Sequence, residues 1–116
     1  MKGNATPDPQ SGGCLCGKTR YTLTTAPEYA IRCYCRDCQH ISGGGHAPQV
    51  AFKRGGFACS GPLKTYGLKS AAGNDVEVGF CFECGSPIRK TTSLQPGIVY
   101  VLAGSLDNSG ELVIGN

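Results

Sequence analysis

Short runs in which apolar and polar residues alternate recur along the chain, and glycine or proline separates one run from the next. Alternation with a period of two is typical of strands that bury one face. The pattern predicts strands over residues 18–24, 29–35, 47–53, 57–60, 63–69, 76–81, 87–92 and 97–103. The last of these runs is the most apolar, so we expect it to lie inside a sheet. One helical turn or short helix is predicted over residues 36–42, ended by the glycines at 43–45.

These elements favour an all-β domain of small antiparallel sheets with little helix, because the strands are short, frequent and separated by glycine and proline turns. A chain of 116 residues has the size of one domain. Residues 1–11 are polar and contain two prolines, and we interpret them as a flexible leader. The domain is therefore expected to occupy residues 12–116.

Composition and charge narrow the classes of function. No apolar run reaches the ~20 residues of a membrane-spanning helix, so no membrane partner is expected. The net charge is only +3 and the eleven Lys and Arg residues are scattered, which makes nucleic acid an unfavoured partner. The N-terminal residues include no apolar stretch of the kind that a secretory signal needs, which favours a cytoplasmic location.

The cysteine content is the strongest chemical signal, with eight cysteines in 116 residues. Intracellular proteins use such cysteines for metal or redox chemistry, whereas secreted ones pair them as disulfides. The C-x-C and C-x-x-C spacings are typical of metal knuckles, so we favour metal over disulfides. A chain with 18 Gly and 7 Pro has a modest apolar core, which a bound metal would reinforce.

The central cysteines Cys33, Cys35 and Cys38 follow one another as C-x-C-x-x-C, a spacing that lets three sulfurs converge on one ion. Thiolates are soft ligands that favour Zn²⁺ among common cellular metals. Three protein ligands with an open fourth position are typical of a catalytic zinc ion. Alternatively, a fourth side chain closes the site and makes it structural. The candidates for that fourth ligand are His40, His46 and Cys59.

The remaining knuckles are a C-x-C pair near the start of the chain and a C-x-x-C pair late in it. Their cysteines are Cys14, Cys16, Cys81 and Cys84. Together they predict a closed site with four cysteines, the usual form of structural zinc. In an alternative division, the first knuckle shares its ion with Cys35 and Cys38. Cys59 has no partner at ligand spacing and is interpreted as a small half-buried thiol.

In order along the chain, these motifs resemble the glutathione-dependent formaldehyde-activating enzyme family, which also contains centromere protein V. The matching segments are 13–17 with Arg20 and Tyr21, 33–38 with Ser42 and Gly43, 80–88, and 104–107. The resemblance implies a β-tent fold, in which small antiparallel sheets are pinned by zinc. It also implies one structural Zn²⁺ on Cys14, Cys16, Cys81 and Cys84, and one catalytic Zn²⁺ on Cys33, Cys35 and Cys38.

The reaction that the resemblance implies joins formaldehyde, or another small aldehyde, to glutathione as an S-hydroxymethyl adduct. Formally it is a carbon–sulfur lyase reaction run in reverse. Glutathione carries two carboxylates, for which the sequence offers Arg36, Lys53 and Arg54, or the backbone amides of residues 43–45. Family members continue past residues 104–107 with a further strand and an aromatic-rich tail, so this chain is expected to be short of that tail.

Two other functions are compatible with the cysteines. A non-catalytic zinc scaffold would bind protein or nucleic acid, but it is expected to carry a basic or apolar stripe, which the sequence does not display. A thiol–disulfide oxidoreductase would use Cys81 and Cys84, but no βαβ pattern surrounds that motif. A general acid–base pair of His40 and His46 is also disfavoured, because no carboxylate is placed to orient the two rings.

Overall fold

The computed structural model describes residues 10–109, and in that range the chain is mainly β-structure. The strands are β1 (Gln10–Gly13), β2 (Arg20–Leu23), β3 (Tyr29–Cys33), β4 (Ala47–Lys53), β5 (Phe57–Ser60), β6 (Leu63–Lys69), β7 (Asp75–Cys81), β8 (Pro87–Thr92) and β9 (Ile98–Leu102). The described range has one α-helix, α1 (Arg36–Ser42), and two short 3₁₀ turns. None of these helices is long and apolar enough to span a bilayer. The predicted all-β class is confirmed.

The strands form two antiparallel sheets. The smaller sheet has the order β1-β2-β5, and the larger one has the order β3-β4-β9-β8-β7-β6. Strand β9 lies between β4 and β8, and its residues from Val99 onward are buried. The prediction that the most apolar run occupies the inside of a sheet is therefore confirmed.

The first strand was not predicted. Gln10 and Ser11, which the sequence analysis assigned to the leader, pair with Leu23 and Thr22 as the first half of β1. Apolar and polar residues do not alternate in this segment. Its extended form comes from backbone pairing with β2, and the pattern of side chains does not predict such pairing. The rest of the predicted leader and the chain end at residues 110–116 lie outside the described range.

The main core lies between the two sheets. One face of the large sheet contributes Val50 opposite Val101 and Phe52 opposite Val99, and the small sheet contributes Tyr21 and Leu23 from β2. All six side chains are almost completely buried. Because side chains alternate between the faces of a strand, this core uses every second residue of β4 and β9 and leaves the others for the opposite face.

The opposite face of the large sheet carries helix α1. Cys38 and Ile41 of the helix pack against Ala47 of β4 and Leu102 of β9. Gln49, which is paired with Leu102 in the sheet, is 1% exposed beneath them. The small side chain of Ala47 leaves room for the helix, so cysteines at the end of β3 and in the first turn of α1 come together on this face.

Candidate metal centres

The cysteines of residues 10–109 form two groups in which all sulfur atoms lie within 4.8 Å of one another. The first group, here called the four-thiol cluster, contains Cys14, Cys16, Cys81 and Cys84. The second, the three-thiol cluster, contains Cys33, Cys35 and Cys38. All eight cysteines are free thiols. The alternative division, in which Cys14 and Cys16 share an ion with Cys35 and Cys38, is wrong, because these two pairs of cysteines belong to different groups.

The four-thiol cluster joins the two sheets. Cys14 and Cys16 follow β1 of the small sheet, whereas Cys81 ends β7 of the large sheet and Cys84 lies in the turn to β8. The Sγ atoms of Cys14 and Cys16 are 3.5 Å apart, and that of Cys16 is 3.8 Å from that of Cys81. A metal bound here would fasten one sheet to the other.

Both knuckles of this cluster turn at a glycine. Gly17 and Gly85 have φ angles of 83° and 78°, in the left-handed region that residues with a Cβ rarely adopt. Their N–H groups donate to the carbonyl oxygens of Cys14 and Cys81, at 3.2 and 2.8 Å. These hydrogen bonds bring the first and the last cysteine of each knuckle to the same side of the turn.

The thiols of the four-thiol cluster have different pKa values, because each one has different hydrogen-bond partners. Hydrogen bonds from the side chain and the backbone of Ser86 lower the pKa of Cys84 to about 5. Burial opposes ionisation of Cys14, but the backbone N–H of Thr19 and the neighbouring thiols lower its pKa to about 7. A backbone hydrogen bond favours the thiolate of Cys16, but burial and the adjacent sulfurs raise its pKa to about 11. Because the thiolate is the metal ligand, the cluster offers ligands near neutral pH.

The three-thiol cluster is built on one sheet. Cys33 is the last residue of β3, Cys35 is the N-cap of α1, and Cys38 lies in the first turn of the helix. The Sγ atoms of Cys33 and Cys35 are 3.4 Å apart, and the backbone N–H of Cys38 donates to the Sγ of Cys35 at 3.4 Å. Sulfur therefore takes the capping role that oxygen usually has, and the cap keeps two of the three thiols in register.

Cys38 is the buried member of this cluster. Its Sγ accepts a hydrogen bond from Gln49 Nε2 at 3.3 Å and one from Lys90 Nζ at 3.6 Å. Burial, together with the adjacent thiols of Cys33 and Cys35, raises the pKa of Cys38 to about 12, although the charge of Lys90 acts in the opposite direction. Burial also opposes ionisation of Cys33, but hydrogen bonds from Cys38 and Cys35 lower its pKa. Without a metal, the proton stays on Cys38 while Cys33 is the easier thiol to ionise.

The three candidates for a fourth ligand do not join the cluster. The group of metal-ligating side chains at this position contains only the three cysteines, within residues 10–109. His40 Nε2 lies 3.2 Å from a guanidinium nitrogen of Arg36, and the ring of His46 stacks on Tyr34 with centroids 5.1 Å apart. Cys59 packs half-buried against the main core, as predicted. The alternative of a closed second site therefore finds no fourth ligand among residues 10–109.

None of the basic residues that the sequence offered for substrate carboxylates hydrogen-bonds to the sulfurs of this cluster within residues 10–109. Arg36 donates to Gln39 Oε1 at 2.6 Å on the exposed side of α1. Lys53 ends β4 and Arg54 follows it, about 20 Å of extended chain from Ala47, which is paired with Cys33. The basic group that does reach the sulfurs, Lys90, lies in β8 and was missed. The signal in the sequence is a lysine in the middle of a predicted strand, and the structure places that strand inside the large sheet.

A groove of about 410 Å³ runs beside the three-thiol cluster, between α1 and the large sheet. Its lining residues are Asp37, His40, Ile41, Tyr66, Leu68, Val78, Phe80, Gly85 and Pro87. Val78 pairs with Lys90 in the sheet, so the floor of the groove continues directly into the residues around Cys38. A larger cavity of about 630 Å³ lies between Arg54 and the strands β6 to β8 and, unlike the groove, is lined by no residue of α1.

The chemistry of the sulfur ligands fits zinc better than the harder divalent ions. Four mutually adjacent thiols in one cluster match the number that a closed structural site uses, and three thiols in the other match a site with one position left. Thiolates select zinc, copper(I) or iron–sulfur clusters over calcium and magnesium, which prefer oxygen. Both clusters can therefore hold a soft metal ion.

Comparison with known proteins agrees with this arrangement. The sequence profile of the family described as glutathione-dependent formaldehyde-activating enzyme matches residues 9–113. A Rhodobacter sphaeroides protein of known crystal structure has a similar fold, with a TM-score of 0.67 and 19% identity over 84% of this chain and 88% of that one. No curated protein is significantly similar to the chain.

Proposed function

Because the chain belongs to the family of glutathione-dependent formaldehyde-activating enzymes, we propose that it catalyses the addition of a thiol, in particular glutathione, to formaldehyde or another small aldehyde. The product is an S-hydroxymethyl adduct, and the reverse reaction is that of a carbon–sulfur lyase. The observation that carries the proposal is the three-thiol cluster, in which no fourth metal-ligating side chain takes part within the described range. A cytoplasmic location, where thiols stay reduced, completes the proposal.

The two clusters are assigned different roles in this proposal. The four-thiol cluster holds a structural zinc ion, because four cysteines complete its coordination and tie the two sheets together. The three-thiol cluster holds a second zinc ion that serves catalysis. Supporting this assignment, Cys35 is exposed at the cluster while Cys38 is buried against the sheet, so the site has one accessible side.

A zinc ion held by Cys33, Cys35 and Cys38 would supply a position for the substrate sulfur and would favour loss of the thiol proton. The substrate thiolate then adds to the carbonyl carbon of the aldehyde, a carbon–sulfur bond forms, and the carbonyl oxygen takes up a proton to become a hydroxyl. Val78 and Phe80 give the aldehyde an apolar wall, which reduces the water around the carbonyl group. Asp37 and His40 are the ionisable side chains of the same groove that can exchange the proton with solvent.

The test is the rate of adduct formation. Zinc-loaded protein is mixed with glutathione and ¹³C-formaldehyde, and exchange NMR measures how fast label passes between free formaldehyde and the adduct. The protein is expected to accelerate this exchange above the spontaneous rate. Cys35→Ser should return the rate to the spontaneous value, because it removes one exposed ligand of the three-thiol cluster. Cys59→Ser is the matched control, since it makes the same change at a half-buried thiol outside both clusters.

Two results would contradict the proposal. One is zinc-loaded protein, with its metal content verified, that gives only the spontaneous rate. The other is a Cys35→Ser protein that keeps the full acceleration. If the first result were accompanied by a large loss of stability in Cys35→Ser, the second zinc would be structural and the scaffold alternative would be favoured.

A further inference from the structure

The sulfur of Cys38 is contacted by side chains from two strands that are remote in sequence from the cluster. Gln49 of β4 donates its Nε2 at 3.3 Å, and Lys90 of β8 approaches with its Nζ at 3.6 Å. The first is a neutral donor and the second carries a positive charge. Polar groups around the ligands of a metal set ligand orientation and the charge that the metal experiences, so these two contacts bear on how the site works.

The orientation of Gln49 is determined by its surroundings. Its Nε2 also lies 3.5 Å from the carbonyl oxygen of Ala47. If the amide were turned over, its oxygen would face that carbonyl oxygen, which cannot donate, and the hydrogen bond to a metal-bound Cys38 thiolate, which only accepts, would be lost. The hydrogen bond from Gln49 to Cys38 is therefore part of the fold and adds no charge. The positive charge in contact with this sulfur is that of Lys90.

The sheet holds Lys90 in place. It pairs with Val78 of β7 on one side and Tyr100 of β9 on the other, in the interior of the large sheet. Its ammonium lies 5.4 Å from the centroid of the Tyr100 ring, a cation–π contact that fixes the end of the side chain. The described range has three ion pairs, and Lys90 takes part in none of them. Its charge is thus directed at the sulfur of Cys38.

The four-thiol cluster is surrounded differently. The donors to its sulfurs are neutral, and they include the backbone N–H groups of Thr19 and Ser86 and the hydroxyl of Ser86. Arg20, whose charge interacts with Cys14, is already paired with Asp107. A closed site with four thiolates has a fixed charge, because it gains no further anion. The three-thiol cluster, on the proposed function, must accept one.

We propose that Lys90 is the counter-charge that lets the three-thiol site accept a fourth, anionic sulfur from the substrate. The inference rests on the proposed function. Three thiolates around a divalent ion leave a net negative charge, and a substrate thiolate increases it. An ammonium in contact with one of the three ligands offsets that increase in a half-buried site, where charges interact more strongly than in water. Lys90 acts through Cys38, so it is a positioning residue and not a catalytic one.

The experiment measures thiol binding without turnover. Protein loaded with Co²⁺ in place of zinc is titrated with 2-mercaptoethanol at fixed pH, and the sulfur-to-cobalt absorption reports the new ligand. Lys90→Gln keeps a hydrogen-bond donor but removes the charge, and is expected to weaken binding by about tenfold or more. Lys90→Arg keeps the charge and should bind within about threefold of wild type. Lys64→Gln is the matched control, because that lysine also lies over an aromatic ring, 5.2 Å from the centroid of Phe82.

The probe separates this role from carboxylate binding, because 2-mercaptoethanol has no carboxylate. If Lys90→Gln weakened the binding of glutathione but not of 2-mercaptoethanol, Lys90 would contact the glutathione carboxylates and the proposal would be overturned. Equal binding of 2-mercaptoethanol to wild type and Lys90→Gln would overturn it as well. If Lys90→Gln took up no cobalt, Lys90→Met would be titrated in its place with the same expectation. Cobalt-loaded wild type that binds neither thiol would refute the proposed function itself, a distinct outcome.

Discussion

The two clusters should differ in how much they stabilise the fold, because they close chain loops of very different length. In the four-thiol cluster, Cys16 and Cys81 are 65 residues apart. A cross-link over that span reduces the entropy of the unfolded chain by about 4 kcal/mol at 25 °C, whereas one over the roughly five residues of the three-thiol cluster contributes about 2 kcal/mol. The long loop also joins the two sheets, and the short one lies within a single sheet.

The chain offers a matched pair of variants to test this difference. Cys14→Ser/Cys16→Ser and Cys33→Ser/Cys35→Ser each remove a C-x-C pair with one half-buried and one exposed cysteine. The first double variant should lose at least about 4 kcal/mol of the ~5–15 kcal/mol that stabilises a domain of this size, and the second about 2 kcal/mol or less. The assay is urea unfolding of zinc-loaded protein, followed by circular dichroism. With a slope of about 1–3 kcal/mol per molar urea, the two midpoints should differ by about 1 M.

Metal content decides how the result is interpreted. Each double variant should bind one zinc ion fewer than wild type, as measured by atomic absorption. Equal losses of stability would refute the loop-length argument, and so would a larger loss in Cys33→Ser/Cys35→Ser. Wild-type protein whose midpoint does not move after complete removal of zinc would refute the structural role of the four-thiol cluster altogether.

Three further predictions concern the sheets that carry the clusters. Phe52→Ala leaves a cavity in the core between the sheets and should cost about 3–5 kcal/mol in urea unfolding; a loss below about 1 kcal/mol would show that the site collapses without strain. Gly12→Ala should cost about 1–3 kcal/mol in the same assay, because its Cβ would meet the Tyr21 hydroxyl and a backbone carbonyl oxygen, and an unchanged midpoint would contradict this contact. Arg20 lowers the pKa of Asp107, so the ionised Asp107 stabilises the fold above its ordinary pKa of about 4, and this contribution is lost as pH falls through the lowered pKa. Asp107→Asn should therefore cost at most about 1 kcal/mol at pH 7 and progressively less as the pH falls below about 4, and thermal melts over this pH range that showed an equal cost throughout would contradict the ion pair.

The strands and the cysteine groups could be predicted because both depend on short-range pattern. Alternation located eight of the nine strands found in residues 10–109, and the C-x-C and C-x-x-C spacings located the knuckles. Strand β1 escaped because Gln10 and Ser11 owe their extended form to pairing with β2 and not to their side chains. Spacing also could not decide which knuckles share an ion. That depends on the packing of the two sheets, which brings Cys14 and Cys81 together.

The residues around Cys38 could not be predicted because the order of strands in the large sheet decides them. Lys90 reaches the cluster only since β8 lies beside β9, which lies beside β4. Lys53 and Arg54, in contrast, lie at the far end of a strand that starts at the cluster, and the length of that strand prevents the contact that nearness in sequence suggested.

Gln49 shows how a residue that contacts the three-thiol cluster can be recognised once the sheet is known. It interrupts an otherwise apolar strand and is 1% exposed, yet its Oε1 has no hydrogen-bond partner in the described part of the chain. A buried acceptor without a partner costs about 1–3 kcal/mol, which an apolar side chain of similar volume would avoid. The core has no need of this amide, because Val50 and Phe52 already fill the space on the opposite face of the same strand. The position is explained by the sulfur of Cys38, which the amide holds in place; the cost in stability is therefore incurred at the three-thiol cluster, where we place the chemistry.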